Sequence, residues 1–320
     1  MVSGEALRGA LEQSLAGFDQ RAIAAAVRRL GAGYRSGEAG APRLDDPRSV
    51  AAYAAYRMPA TYAAVRAVLA QLPELDPAIL LDVGGGTGAA AWAAIDICPG
   101  LRSVTVTDRS TAALEFGRRL ATQAPHEALR LARWERSDAS APIPAADLLT
   151  ASYVLGELDP HARQGLIETM ARSGATVVVV EPGTPEGYRR VLAAREQLLV
   201  HGHRVLAPCP HSAACPLADT TDWCHFAVRL DRSALHRRVK SAELGYEDEK
   251  FAYVATAPGG QAAAVGRVLR HPQTRKGLVR LTVCQRDEQV APIAVRRSAA
   301  SYRAARDARW GDPWPPRDAG

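Results

Sequence analysis

Apolar residues recur at helical spacing from the beginning of the chain. Between residues 4 and 31, Leu7, Leu11, Leu15, Phe18, Ile23 and Val27 fall on one face of one or two helices. Residues 31–47 break the pattern as a polar, Gly/Pro-bearing loop, and 49–72 resume it as an alanine-rich helical stretch. A kink or restart is expected at Met58-Pro59, where proline has no N–H to donate. From Ile79 the period shortens and strands alternate with helices. Strands are expected at 103–107, 129–135, 147–153 and 176–180, and helices at 111–123, 160–172 and 186–200. That βαβ rhythm predicts an α/β fold, a Rossmann-like, mostly parallel sheet, behind an N-terminal helical module. Further on, 278–284 and 289–295, joined across Asp287, read as a hairpin of a small C-terminal β unit. An Arg-rich helix from 298 to 310 and a Pro-rich tail are expected to end in disorder. The boundaries implied are 1–75 for the helical module, 76–203 for the sheet core, 204–297 for a cysteine-bearing segment with its β unit, and 298–320 for the tail.

The segment 79–88, ILLDVGGGTG, is the junction of greatest chemical interest. It reads as a strand, a tight turn and a helix start. Gly84, Gly85, Gly86 and Gly88 lack the Cβ atoms that would hold a ligand off the backbone, and the free N–H groups of the following helix favour an anionic or strongly polar ligand. Gly84, Gly86 and Ala89 meet the dinucleotide pattern only weakly, whereas Asp82 ahead of the glycines makes D-x-G-x-G-x-G, which resembles the first motif of class I methyltransferases. Three readings stay open on this turn alone: S-adenosylmethionine, a dinucleotide, or a structural turn.

In a sheet of this kind ligands sit at the carboxyl ends of strands. Asp108 follows the second strand and is placed to accept from ribose hydroxyls, or else to cap the next helix. Asp138 follows the third, near an adenine amino group, though Ser137-Asp138-Ala139-Ser140 is also good turn chemistry. Ser152, Tyr153, Val154 and Leu155 follow the fourth strand, where methyltransferases present the methyl group. No Asn/Asp-Pro-Pro-Tyr/Phe tetrad and no cysteine for carbon-5 cytosine chemistry occurs there, so no catalytic residue is legible. Glu181-Pro182-Gly183 either closes the cofactor pocket or simply ends a strand.

Composition is ordinary for a globular chain, 47% hydrophobic and 23% charged over 320 residues. With no run of about 18 apolar residues and no basic-then-apolar N-terminus, neither a membrane partner nor a signal peptide is expected, and the cytoplasm is the expected setting. Charge changes the picture more. Residues 1–199 carry 21 Lys plus Arg against 22 acids, and 200–320 carry 19 against 12. The excess of base in the last third points to a polyanion, nucleic acid first. Only three of the 40 bases are lysine, however, which fits genome composition as well.

Cysteines sharpen the reading. Cys98 stands alone in DICPG and is expected to be a small buried thiol. Cys209, Cys215 and Cys224 share one loop-rich segment, with five and eight residues between them, and Cys284 lies in LVRLTVCQ. Clustered cysteines in a reducing compartment are more often metal ligands than disulfides. The spacing is wider than a zinc ribbon's, so an iron–sulfur cluster is favoured over zinc, with His211 or His225 as substitute zinc ligands, and unligated thiols stay open as a third reading.

Taken together, DVGGGTG, ASYVLGEL, VVVVEPGTPEGY, APCPH…CP…WCHF and RHPQTRKGLVRLTVC resemble the ribosome-associated methyltransferase-like family of bacteria and mitochondria, over roughly residues 50–295. The resemblance implies a class I S-adenosylmethionine-dependent methyltransferase fold with Asp82, Gly84, Gly85, Gly86, Thr87, Gly88, Asp108 and Asp138 at the cofactor. It also implies a [4Fe-4S] cluster on Cys209, Cys215, Cys224 and Cys284, and the small ribosomal subunit and its rRNA as partner. Arg267, Arg270, His271, Arg275, Lys276 and Arg280, just ahead of Cys284, form a basic strip suited to phosphate, with solvated strand charges as the plain alternative. The leading expectation is a methyltransferase acting on or with small-subunit rRNA. Its rivals are a non-catalytic assembly factor and a small-molecule methyltransferase with a structural zinc.

Overall fold

A computed structural model of the chain describes residues 3–19, 21–27, 44–72, 75–231 and 246–316. It divides into two compact units, Met1–Ala175 with Val228–Glu249, and Thr176–Ala227 with Lys250–Gly320.

The first unit opens with the helix Ser3–Leu15 and a helical turn at 21–27, which bury Leu7, Leu11, Leu15, Ile23 and Val27. The loop expected at 31–47 falls largely outside the described residues. The helix Pro47–Tyr56 starts where Asp46 accepts from the Arg48 and Ser49 N–H groups with proline in the first turn, and Met58–Leu69 restarts behind Pro59. Proline thus separates two helices where the sequence predicts it. Four parallel strands follow: β1 (Ile79–Val83), β2 (Ser103–Asp108), β3 (Arg133–Arg136) and β4 (Leu148–Ser152), in the spatial order β3-β2-β1-β4. The helix Ala89–Ile97 packs its fully buried Trp92 and alanines against Met58–Leu69, so small residues let two helices approach closely. The strand expected at 129–135 is displaced. A short helix, Glu127–Arg130, takes its first half because His126 caps it, and β3 begins only at Arg133.

The second unit holds β5 (Thr176–Pro182), the helix Pro185–Val200 and β6 (His203–Ala207). Two more strands, β7 (Phe226–Asp231) and β8 (Tyr246–Pro258), pair with each other, and within the second unit β8 runs antiparallel to β5 and β6. A separate sheet is made of β9 (Gly266–Val268), β10 (Gln273–Arg275), β11 (Leu278–Gln285) and β12 (Val290–Arg296), all antiparallel. The hairpin expected at 278–295 is therefore present as β11 and β12. The C-terminal segment departs from expectation. The helix there is only Tyr302–Asp307, and the following residues are packed: Gly311 and Trp314 donate to Val268 and Gly266 carbonyls, and Trp314 is buried with Val268, Leu281 and Val283. An apolar ring at the end of a proline-rich run was enough to anchor it. Among the described residues no helix is long and apolar enough to cross a membrane.

Candidate functional site

In the first unit a cavity of about 300 Å³ opens at the carboxyl ends of β1, β2 and β4. Its wall includes Gly84, Gly86, Asp108, Ser152 and Tyr153, all singled out by the sequence, and an adjoining recess adds Val83, Asp138 and Val154. The glycines serve different ends. Gly84 and Gly86 both take left-handed backbone, at φ +65° and +54°. A Cβ on Gly84 would stand 2.4 Å from Val154 Cγ2, whereas one on Gly86 meets only Asp108 Oδ2, at 3.7 Å. Gly84 is therefore closed against β4's end, and Gly86 faces open cavity.

Asp108 and Asp82 also separate. Asp108 accepts from Gly86 N at 2.9 Å and Ser110 N at 2.8 Å, and remains on the cavity wall. The next helix, Thr111–Ala121, is capped by Ser110 instead, whose hydroxyl accepts from Ala113 N. Burial holds the Asp108 carboxyl above its ordinary range against those N–H donors. Asp82 is fully buried beneath the turn, accepts from Thr150 Oγ1 at 2.7 Å, and is pushed up to about 7 by burial. It touches the glycine turn from below, since a Cβ on Gly85 would lie 2.3 Å from its Oδ2. Asp82, Gly85, Thr87 and Gly88 are thus supports of the turn, and none of them lines the cavity. Asp138 is exposed and kept low by the N–H and hydroxyl of Ser140, so its turn role and its place in the recess coexist.

Several residues at this cavity carry no sequence signal. Leu44, Asp45 and Tyr53 come from the helical module, and Arg109 pairs with Glu157 at 3.4 Å along the rim. Beside them Tyr153, held at φ +60°, donates to Glu249 Oε1 at 2.9 Å. The same carboxylate pairs with Arg57 at 3.0 Å, and the Arg57 guanidinium lies 5.4 Å from the Tyr153 ring centroid. Arg57, Tyr153 and Glu249 come from three distant stretches, so only the fold joins them. Leu155 is fully buried and, like Val154, offers no proton-transfer chemistry.

In the second unit Cys209, Cys215, Cys224 and Cys284 all line one cavity, with Pro208, Leu217 and Arg267. None is in a disulfide. Burial, reinforced by the neighbouring thiols, raises Cys224 well above the ordinary thiol range and Cys284 to about 12. Burial thus favours the neutral thiol at Cys209, Cys224 and Cys284, and a metal would have to displace their protons. Tyr188 Oη lies 3.3 Å from Cys215 Sγ, and His211 Nε2 lies 3.7 Å from Cys284 Sγ. His225 is occupied elsewhere, donating to Trp223 O and packed between the Trp223 and Trp310 rings. Among the described residues no three His, Cys, Asp or Glu side chains are gathered tightly enough for a single metal ion. Cys98 is a buried thiol pushed up to about 11 by burial, as expected.

The basic strip is divided by the fold. Arg275, Lys276 and Arg280 are exposed on the small sheet, and His271 is exposed with its ring against Trp310. Arg270 is turned inward to Asp222 and the Trp223 carbonyl. Arg267 does not belong to the strip: it is 1% exposed and donates to the Pro208 and Gly311 carbonyls. Its place on β9, directly opposite Cys284 on β11, turns it towards the cysteines and away from any phosphate. Glu181 likewise has a structural task, buried and paired with Arg190 at 2.6 Å.

A parallel sheet in the order β3-β2-β1-β4, with a glycine turn and an acidic residue at the ends of β1 and β2, defines a protein of the class I S-adenosylmethionine-dependent methyltransferase fold. More narrowly, the chain belongs to the Rsm22 family: the family model described as mitochondrial small ribosomal subunit Rsm22 matches residues 47–315. It is 29% identical over 284 residues to the human mitochondrial ribosome assembly protein METTL17, covering 81% of this chain and 61% of that protein. Solved structures with partial likeness include the glycopeptide N-methyltransferase MtfA complexed with S-adenosyl-L-methionine, 14% identical over 62% of this chain and 94% of that one with TM-score 0.42. Another is precorrin-6y C5,15-methyltransferase from Geobacter metallireducens, 18% identical over 60% and 86% with TM-score 0.40. At these scores they add nothing to the family relation.

Proposed function

We propose that this protein binds S-adenosylmethionine in the glycine-lined cavity and a [4Fe-4S] cluster on Cys209, Cys215, Cys224 and Cys284, and acts with small-subunit rRNA in ribosome assembly. The observation that carries the reading is the pairing of an open cofactor cavity with a cavity walled by four thiols, in a chain of the Rsm22 family. Support for a cluster comes from four thiols lining one cavity, at a sequence spacing wider than a zinc ribbon's. The exposed Arg275, Lys276 and Arg280 supply the phosphate contacts.

S-adenosylmethionine, when bound, supplies an electrophilic methyl group. The chain's part is to position it: the backbone at Gly84 and Gly86 holds the methionine end, Asp108 accepts from the ribose, and Asp138 serves the adenine side. Ser152 and Tyr153 would line the methyl side, with Val154 in the adjoining recess and Leu155 buried behind them, and Tyr153 is fixed by Glu249. Methyl transfer to an oriented nucleophile needs alignment more than a strong base.

A second reading, a non-catalytic assembly factor, is favoured by one observation: the phenol at the methyl face is already engaged by Glu249. Cells lacking the protein, complemented with wild type or Gly86→Arg, separate the two. In the enzymatic reading the variant restores neither the small-subunit rRNA modification map nor the subunit profile. Full maturation with Gly86→Arg, in a protein shown to have lost cofactor binding, overturns it.

A further inference from the structure

The small sheet of the second unit has two unlike faces. On one, Val279, Leu281 and Val283 are buried with Ala305 and Trp314, so the C-terminal segment covers it. Register fixes what points the other way, because directly paired residues share a face and side chains alternate along each strand. Arg275 on β10 lies opposite Leu278 on β11, which lies opposite Arg296 on β12, and Arg280 lies between Gln273 and Ala294. Further along this face Cys284 and Val290 pair at the cysteine cavity, so one end is roofed. The other end is open: Gln273, Arg275, Arg280, Ala294 and Arg296 are all exposed. At its tip Lys276 occupies the turn between β10 and β11, and Arg297 donates its N–H to the neighbouring Gly277 carbonyl.

Charge on this open half is one-sided. Exposed arginines elsewhere pair with acids, Arg229 with Asp248 and Arg306 with Asp307. Among the described residues Arg275, Lys276, Arg280, Arg296 and Arg297 pair with no carboxylate. The sheet's own acids, Asp287 and Glu288, sit in the turn at the far end of β11, whose 8 residues span roughly 24 Å. A polyanion is the partner such a field attracts. Its size follows from the strands: at about 4.8 Å between strands and 3.4 Å per residue, the Cα atoms of Arg275, Arg280 and Arg296 form a triangle with sides of roughly 8 to 10 Å. That footprint fits a few phosphates of one strand, whereas duplex RNA is contacted over successive grooves spanning about 16 base pairs. Unpaired bases also stack on imidazole rings and guanidinium planes. His271, two residues before Gln273, is exposed with its ring 4.9 Å from that of Trp310, which backs it edge-on. We propose that the open half of the small sheet docks single-stranded RNA, with Arg296 and Arg297 joining Arg275, Lys276 and Arg280 on phosphates and His271 taking a stacked base. This rests on the rRNA reading given above, and adds to it the strand state of the partner, the part played by β12 and a stacking position.

The test is fluorescence anisotropy of the full chain with a labelled single-stranded RNA of about 12 nucleotides, the duplex of the same sequence, and isolated small-subunit rRNA as competitor, between about 50 and 200 mM salt. Arg296→Ala and Arg297→Ala are each expected to lower the slope of log affinity against log salt by roughly 0.7 for the single strand, and Arg296→Lys to keep the wild-type slope. His271→Ala is expected to weaken binding about tenfold at every salt concentration with the slope unchanged, as lost stacking does. Arg286→Ala, exposed at the acidic turn of the same sheet, is the control and should match wild type. The duplex should bind roughly tenfold more weakly than the single strand. Slopes in Arg296→Ala and Arg297→Ala equal to that of Arg286→Ala overturn the surface, and Arg296→Lys no better than Arg296→Ala assigns the loss to packing and overturns it too. Unchanged affinity in His271→Ala overturns the stacked base, and a duplex bound as tightly as the single strand overturns the strand assignment. Wild type that binds the rRNA but not the single strand overturns the proposal alone, whereas wild type that binds none of the three RNAs overturns the rRNA reading itself.

Discussion

The same small substitution at two glycines of one turn should separate folding from binding. Alanine at Gly84 or Gly86 forces a Cβ into left-handed backbone, at roughly 1–2 kcal/mol in either case. Only at Gly84 does the methyl also meet a neighbour, Val154 Cγ2 at 2.4 Å, adding about 1–3 kcal/mol of overpacking. Gly84→Ala should therefore destabilise the protein by about 2–5 kcal/mol and Gly86→Ala by no more than about 2. Binding should show a different pattern. The Gly86 methyl projects into the cavity beside Asp108, and displacing a ligand by one methyl weakens affinity by roughly 1–3 kcal/mol, or 5- to 150-fold in Kd. Urea melts measure the first quantity, and calorimetric titration with S-adenosylmethionine the second. Equal loss of stability in both variants, or a Gly86→Ala protein that binds as tightly as wild type, would refute the assignment of Gly86 to the ligand wall.

Two further outcomes follow from the charges. Burial pushes the Asp82 carboxyl up to about 7, against 3.8 for an ordinary aspartate, so between those pH values the folded state binds the extra proton and stability falls as pH rises. Asp82→Asn should remove that slope, gaining on wild type from pH 4 to 7.5 by an amount on the order of 4 kcal/mol at most; parallel melts of the two proteins across that range would contradict it. If Arg275, Lys276 and Arg280 contact phosphate, replacing each by alanine should lower the slope of log affinity for small-subunit rRNA against log salt by about one, with Arg267→Ala leaving the slope unchanged. A slope indifferent to all three would remove the strip from the RNA interface.

How much was legible beforehand depended on the range of the interaction. The turn 79–88, the proline break at Met58-Pro59 and the β11–β12 hairpin rest on hydrophobic period, proline and glycine, which act between near neighbours. They were readable in one dimension. The displacement of β3 had a local cause as well, a histidine cap that competes with an apolar run. Arg267, a basic residue near other basic residues, reads as surface in the sequence and is buried in the fold. Its burial is decided by the pairing of β9 with β11, which no spacing reveals. Trp314 was lost in a proline-rich tail for the same reason, since its partners are Gly266 and the core of the small sheet.

Sequence by itself determined that this is an α/β protein with a glycine turn for a polar ligand, and that four of its five cysteines belong together. Tertiary structure decided which carboxylate faces the cavity. Asp82 and Asp108 are both acids at the ends of adjacent parallel strands, yet one is sealed beneath the turn on Thr150 while the other stands on the cavity wall. It also brought Glu249 and Arg57 to Tyr153, and the buried Arg267 to the thiols. Backbone preference travels along the chain, but burial and charge pairing are set by which strands lie side by side.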